Sequence, residues 1–135
     1  MHIGNNVIIA EKSTLASYGP GLTIGNNVVI GKGCYIAQNG GSIKIGNNVL
    51  IADGVKIYSL NHKYNSRKIP IMKQGVKECT IAIKDNVWIG AGVVIFNDTT
   101  IESGSVIGAN SVVRKNIPAF VVFAGNPGKV IKKIK

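Results

Sequence analysis

At 135 residues the chain has room for one domain, spanning 1–135, and none for a second. Its formal charge of +10 suggests an anionic partner, but few aromatics and no recognisable motif argue against nucleic acid. No apolar run approaches the roughly 18 residues of a membrane span.

Met1-His2-Ile3-Gly4 begins no basic-then-apolar leader pattern. The chain enters a repeat at once, which predicts no helical N-terminal domain. Aliphatic residues recur every six positions: Ile3, Ile9 and Leu15, then Ile24, Ile30 and Ile36, then Ile45, Ile51 and Ile57. After a break the beat resumes at Ile83, Ile89, Ile95, Ile101, Ile107 and Val113. The next residue is often small (Gly25, Gly31, Ala37, Gly46, Ala52, Gly90, Gly108). Four positions on stands another small or β-branched one (Val28, Cys34, Val49, Val55, Val87, Val93, Thr99, Ser105, Ser111). Six fits neither a helix nor an alternating strand carried through turns, so this is a structural repeat.

Three hexads make a coil of 18 residues, as from Ile83 to Ile101. Ile3 to Ile24 and Ile24 to Ile45 are each 21 residues, and the extra three fall at Tyr18-Gly19-Pro20-Gly21 and Asn39-Gly40-Gly41. Each hexad predicts a short strand and a turn, with the aliphatic residue inward and Gly-Asn-Asn (4–6, 25–27, 46–48) supplying turn residues. Coils stacked at about 4.8 Å pair through their backbones, so roughly five make a prism about 24 Å tall. One coil cannot bury its own ladder, and the fold needs several. An ordinary β-sandwich with accidental spacing does not explain a register held from Ile3 to Val113 with one interruption.

That interruption, between Ile57 and Ile83, is polar, contains Pro70 and Gly75, and rejoins the beat in register. It predicts a loop extruded over about 62–80, and loops on rigid scaffolds are a usual place for function. His62 stands where the loop leaves the coil. The other histidine is His2, so His62 is the one imidazole placed to serve as a base near neutral pH. Two histidines, one terminal, do not supply a three-His metal site, and no metal is expected. The two cysteines make no disulfide framework. Cys34 falls on an inward position, Cys79 has no assigned role, and both fit a reducing, cytoplasmic setting. Positive charge concentrates in the loop (Lys63, Arg67, Lys68, Lys73, Lys77) and the C-terminus (Lys129, Lys132, Lys133, Lys135). A phosphorylated cofactor and an anionic acceptor would account for both; a solvated basic face with no specific ligand is the alternative for any individual lysine.

The hexads, the segment Asn-His-Lys-Tyr (61–64) with Ile-Pro-Ile-Met-Lys-Gln-Gly (69–75), and Asn-Val-Trp-Ile-Gly (86–90) carry a resemblance. The sequence resembles the hexapeptide-repeat acyltransferases, in particular the sugar O-acetyltransferase branch that includes galactoside, maltose and capsular polysaccharide acetyltransferases. The resemblance implies an all-β, single-domain left-handed parallel β-helix of about five coils, with one extruded loop (about 62–80) and a short C-terminal tail. The left hand comes from the resemblance alone, since parallel crossovers are otherwise nearly always right-handed. It also implies a homotrimer with active sites between subunits. A mean hydropathy of +0.22 fits apolar surface covered by other subunits.

By the same match, His62 is the catalytic base, acetyl-CoA is the co-substrate, and Trp88 lies beside the pantetheine arm. The Ala91 amide faces the thioester carbonyl, where it would stabilise an oxyanion. Ala109, Arg114 and Lys115 line the cofactor groove, although many relatives carry Thr at the Arg114 position. Lys129 and Lys132, in the closing Gly-Asn-Pro-Gly-Lys motif, approach the adenosine phosphates. For the acceptor, Tyr35, Gln38, Asn39 and Asn61 offer polar contacts, although a solvated corner explains Gln38 and Asn39 equally well. The reaction implied is acetyl transfer to a sugar hydroxyl in cell-surface polysaccharide or lipopolysaccharide synthesis. Two alternatives stand beside it: N-acetylation of a nucleotide-linked amino sugar, and a non-catalytic β-helix acting as an assembly module.

Overall fold

The computed structural model describes residues 1–135. Every coil turns its first corner through a residue in the left-handed region: Asn6, Asn27, Asn48 and Asn86 at φ between 55° and 57°, then Gly104 at 77°. Asparagine tolerates that conformation better than other residues with a Cβ. Its neighbour explains why the motif doubles the residue. Asn26 Oδ1 accepts the Asn5 N–H at 2.7 Å, Asn47 Oδ1 accepts the Asn26 N–H at 2.8 Å, and Asp85 Oδ1 accepts the Asn47 N–H at 2.7 Å. The first Asn thus caps the preceding coil, and the second makes the turn. Gly25 completes the set because a Cβ there would sit 2.6 Å from the Gly46 carbonyl.

Between corners the chain forms three parallel sheets around one core, wound as a left-handed β-helix. The first sheet stacks His2–Ile3, Leu22–Ile24, Ser42–Ile45, Thr80–Ile83 and Thr99–Ile101. The second stacks Val7–Ile9, Val28–Ile30, Leu50–Ile51, Trp88–Ile89, Val106–Ile107 and Val121–Gly125. The third stacks Thr14–Ser17, Tyr35–Gln38, Lys56–Tyr58, Val94–Ile95 and Val112–Val113. The aliphatic beat and its partner four residues on form one buried cluster from Leu22 to Phe123. Thr99, Ser105 and Ser111 share that interior, and no buried side-chain polar atom lacks a partner. No helix is long and apolar enough to cross a membrane.

The two ends differ from the simple repeat. The first rung has a neighbour on one side only, so Ile3 and Ile9 stay 40% exposed although their register is that of the core. At the other end the expected tail is a hairpin. Val121–Gly125 adds a sixth parallel rung, and Gly128–Lys133 folds back antiparallel to it after a cis Asn126–Pro127 bond. Ser111 Oγ holds this hairpin by accepting the Gly125 N–H at 2.9 Å. Phe123, 1% exposed, closes the core.

The interruption also begins earlier than its polarity suggests. Leu60–His62 pairs antiparallel with Val76–Glu78, so the loop stands on a two-stranded stalk rather than leaving the coil as irregular chain. Register is unaffected, because Thr80 pairs with Ser42 and Ile81 with Ile43 as though nothing had been inserted.

Ile51 lies mid-prism and 2% exposed, so Ile51→Ala is expected to cost about 2–5 kcal/mol in chemical denaturation. Exposed Lys44→Ala, one strand away, should stay within about 0.5 kcal/mol.

Candidate active site

The loop leaves from one particular corner, the one joining the third sheet to the first. In the two preceding coils this corner holds the three-residue expansions at 19–21 and 39–41. The stalk fits against the second of these. Ser59 donates its N–H to Ala37 O at 3.2 Å, Cys79 donates to Ser59 O at 2.8 Å, and Ser42 donates to Cys79 O at 3.1 Å. Gly41, at φ 61°, lies so close to Cys79 that a Cβ would overlap its carbonyl.

From the following coil, Asn97 and Asp98 hold the other side. Asn61 Nδ2 donates to Asn97 Oδ1, which ties down the first stalk strand one residue before His62. Asp98 ties down the second strand: Oδ1 accepts the Thr80 N–H at 2.8 Å and Oδ2 pairs with Lys77 Nζ at 3.3 Å. The Thr80 N–H, then Lys77, hold the Asp98 carboxyl below its usual range. A depressed pKa means that the anchor is complete above the ordinary carboxylate range and is lost only as pH falls through the lowered value.

His62 is exposed at the end of this clamped strand, and neither ring nitrogen has a hydrogen-bond partner in the chain. It opens onto a polar cavity of about 500 Å³ lined by Asn61, Lys63, Tyr64, Asn65, Lys77, Asn97 and Asp98. Asn61 therefore lines the cavity as expected for an acceptor contact, but its Nδ2 donates to Asn97 Oδ1 and to Cys79 Sγ at 3.8 Å, which leaves its oxygen alone free. Asn39 occupies the same corner one coil earlier, outside the cavity. Tyr35 lies on the outer face of the third sheet, its ring 5.9 Å from that of Tyr58, and also outside the cavity. Gln38 is neither an acceptor contact nor a solvated corner residue. It is 2% exposed, with its side chain bonded to Ser17 Oγ and the Gly41 carbonyl.

Asn97 and Asp98 form part of this site although the sequence reading passed over them, and Lys77, read there only as part of the loop's positive charge, joins them. The available signal was positional: Asn-Asp fills the corner in the coil immediately after the insertion, where a stalk needs an anchor.

The expected cofactor residues occupy other surfaces. Trp88 is 52% exposed on the outer face of the second sheet. Strand register sets it in a row with Ile8, Val29, Leu50, Val106 and Val122, and the row ends on Lys132. Ala91 and Ala109 are successive rungs at the edge of that sheet, linked by the Asn110 N–H donating to Ala91 O at 2.8 Å. The Ala91 N–H itself finds no acceptor. Two coils earlier the equivalent N–H, that of Lys32, is capped by Asp53 Oδ1 at 2.8 Å, whereas those of Asp53 and Ala109, one coil to either side of Ala91, are also left without an acceptor. Arg114 and Lys115 lie farther along, lining a hollow of about 100 Å³ with Asn126, Pro127 and Gly128, next to Lys129. Lys115 Nζ sits 5.8 Å from the centre of the Phe123 ring, over the end of the core.

Both thiols are removed from this chemistry. Burial pushes Cys34 and Cys79 upward in pKa, and nearby Asp98 raises Cys79 further, so both stay protonated near neutral pH. No group of three or more His, Cys, Asp or Glu is placed to hold a metal ion.

Two family models match separate parts of the chain: "Bacterial transferase hexapeptide (six repeats)" over 80–115 and "Hexapeptide repeat of succinyl-transferase" over 21–59. The solved maltose O-acetyltransferase of Clostridium difficile 630 is 31% identical, with the alignment covering all of this chain and 67% of that one at a TM-score of 0.63. The chain belongs to the hexapeptide-repeat acyltransferases. AntD, an N-acyltransferase from Bacillus cereus solved with dTDP and coenzyme A, is 26% identical over 98% of this chain and 74% of its own, TM-score 0.85. Galactoside O-acetyltransferase of Escherichia coli K12 is 56% identical over 54 residues, 40% of this chain and 27% of the relative. The first curated relatives of this hexapeptide-repeat chain are matched over 27% to 44% of their own length.

Asn97→Gly keeps the left-handed corner accessible and removes the tie to Asn61. Tryptic cleavage within 63–73 should accelerate about tenfold while global unfolding shifts by under about 1 kcal/mol, since the loop opens separately from the core. An unchanged cleavage rate would show that the tie does not hold the stalk.

Proposed function

We propose that the chain is an acetyl-CoA-dependent O-acetyltransferase that modifies a sugar hydroxyl on a precursor of cell-surface polysaccharide or lipopolysaccharide. It would act as a homotrimer with its sites between subunits. The observation that carries the reading is a separation. His62 and Ala91 belong to different corners of one prism, with the third-sheet strand Val94–Ile95 running between those corners. A base and an oxyanion donor serving the same reaction must converge on one carbonyl, so each chain would supply half of a site completed by a second copy. The exposed row through Trp88 is the apolar surface such a partner would cover.

In this reading His62 accepts the proton of the sugar hydroxyl, whose oxygen attacks the thioester carbon. The uncapped Ala91 N–H donates to the carbonyl oxygen as negative charge gathers there. Collapse releases the thiolate of coenzyme A, and the proton held by His62 returns to its sulfur. Trp88 offers a flat apolar wall to the pantetheine arm, with Ala109 small enough to let it pass. Lys132 and Lys129, with Arg114 and Lys115 at the far end, supply positive charge for phosphates. No acyl-enzyme is required, because neither buried, protonated cysteine has a neighbouring base.

N-acylation of a nucleotide-linked amino sugar is the second reading, favoured by the likeness to AntD. An amine needs less help from a base. A non-catalytic assembly module is the third, and it predicts no acetyl-CoA binding in calorimetry.

His62→Ala should lower turnover with a sugar hydroxyl about 10²- to 10⁴-fold and leave acetyl-CoA affinity within about twofold by calorimetry. Retained turnover on a hydroxyl would overturn the mechanism, and a mild loss on an amino sugar alone would favour the second reading.

A further inference from the structure

The loop beyond His62 carries a charge pattern that acetyl transfer does not require. From Gly54 to Lys77 the sequence holds no Asp or Glu, yet Lys63, Arg67, Lys68, Lys73 and Lys77 fall within it. Only Lys77 among these is ion-paired.

The loop tip is also built rather than slack. Gln74 Oε1 accepts the Ser66 N–H at 3.0 Å, and its Nε2 donates to Ser66 O at 2.9 Å and Ile69 O at 2.7 Å. Ser66 Oγ accepts the Lys68 N–H at 3.1 Å. Lys73 donates its N–H to Pro70 O at 2.8 Å, closing the short turn beyond. Arg67 and Lys68 therefore stand on a turn fixed by one buttressing side chain.

They line a hollow of about 670 Å³ with Ser66, Ile69, Pro70 and Ile71, and Tyr64 forms part of its wall. Tyr64 is also a wall of the His62 cavity, so the two hollows adjoin across one exposed ring. A merely solvated basic face has no need of a three-bond clamp, and nothing would direct two adjacent cations to a hollow that shares a wall with the His62 cavity.

We propose that Arg67 and Lys68 bind a phosphate group carried by the acceptor, making the acceptor a phosphorylated sugar rather than a neutral one. Its ring occupies the cavity with a hydroxyl at His62, its phosphate reaches the second hollow, and Tyr64 lies between. Arg presents a planar fork to two phosphate oxygens and Lys adds a point charge, a pairing suited to a dianion. The inference rests on the acyltransferase reading above and narrows its substrate class.

The test measures thiol release from acetyl-CoA with a neutral hexose, the same hexose 1-phosphate, and its nucleoside-diphosphate and polyprenyl-diphosphate forms. At least one phosphorylated form should exceed the neutral sugar in kcat/KM, and which one identifies the carrier. R67A/K68A should raise KM for that acceptor about tenfold or more, from the loss of charged hydrogen bonds, with kcat and the KM for acetyl-CoA within about twofold. K44A/K73A, which removes the same two charges outside the hollow, should leave the acceptor KM within about twofold, which separates local binding from general attraction. Equal use of neutral and phosphorylated sugars, or a rise in the KM for acetyl-CoA instead, would overturn the inference. If no sugar is acetylated, the enzymatic reading fails, and calorimetry with the hexose phosphates decides the phosphate site alone. Binding that R67A/K68A abolishes would support the site, and no binding to the unaltered chain would overturn it.

Discussion

Each coil must hand its backbone to the next in register, and the rest of the molecule depends on that pairing. A parallel rung accepts only the residue directly above it, so 18 residues per coil are the working length and any surplus must leave at a corner. Inward positions then stack on inward positions, which is why Ile, Val and small residues repeat so strictly. Asparagines recur for the same reason: they are the residues that turn one corner and cap the coil before it. Burial supplies the driving force, and register decides where each buried residue can stand.

The site follows from the same constraint. Surplus residues collect at the corner between the third and first sheets, three at a time in the first two coils and as a whole loop in the third. Because the coil resumes with Thr80 on Ser42, the stalk is held between two fixed rungs, Gly40–Gly41 on one side and Asn97–Asp98 on the other. A rigid scaffold thereby gives the extruded loop a defined base, and His62 stands at the end of its first stalk strand. The price is separation, since the corner that can expel a loop is distinct from the edge that exposes the Ala91 amide. That geometry is the reason the proposed chemistry calls for two chains.

Much of the fold was legible because the beat is a direct image of the stacking. The period, the inward residues from Leu22 onward and the corner role of Gly-Asn-Asn all follow from it. Handedness does not, since a six-residue period is compatible with either hand. The C-terminal hairpin was missed because Val121–Gly125 and Gly128–Lys133 pair antiparallel and leave the beat. The stalk was missed because Asn61-His62 and Val76-Lys77 have no alternating pattern; their partner contacts, not their own composition, make them strands. His62 was legible as a lone base at a break. Asn97 and Asp98 were not, because their role lies in contacts 18 to 36 residues away along the chain.

The claim that a working site takes His62 from one chain and the Ala91 amide from another is tested most directly by mixing two inactive variants. Gly92 at φ 70° makes Ala91–Gly92 a turn that accepts proline at its first position, so Ala91→Pro removes the N–H without forcing the corner. Co-refolded His62→Ala and Ala91→Pro chains, each inactive alone, should regain a substantial fraction of unaltered acetyl transfer, because mixed assemblies contain pairs with both groups intact. Failure to recover activity in assemblies shown to contain both chains would contradict the account.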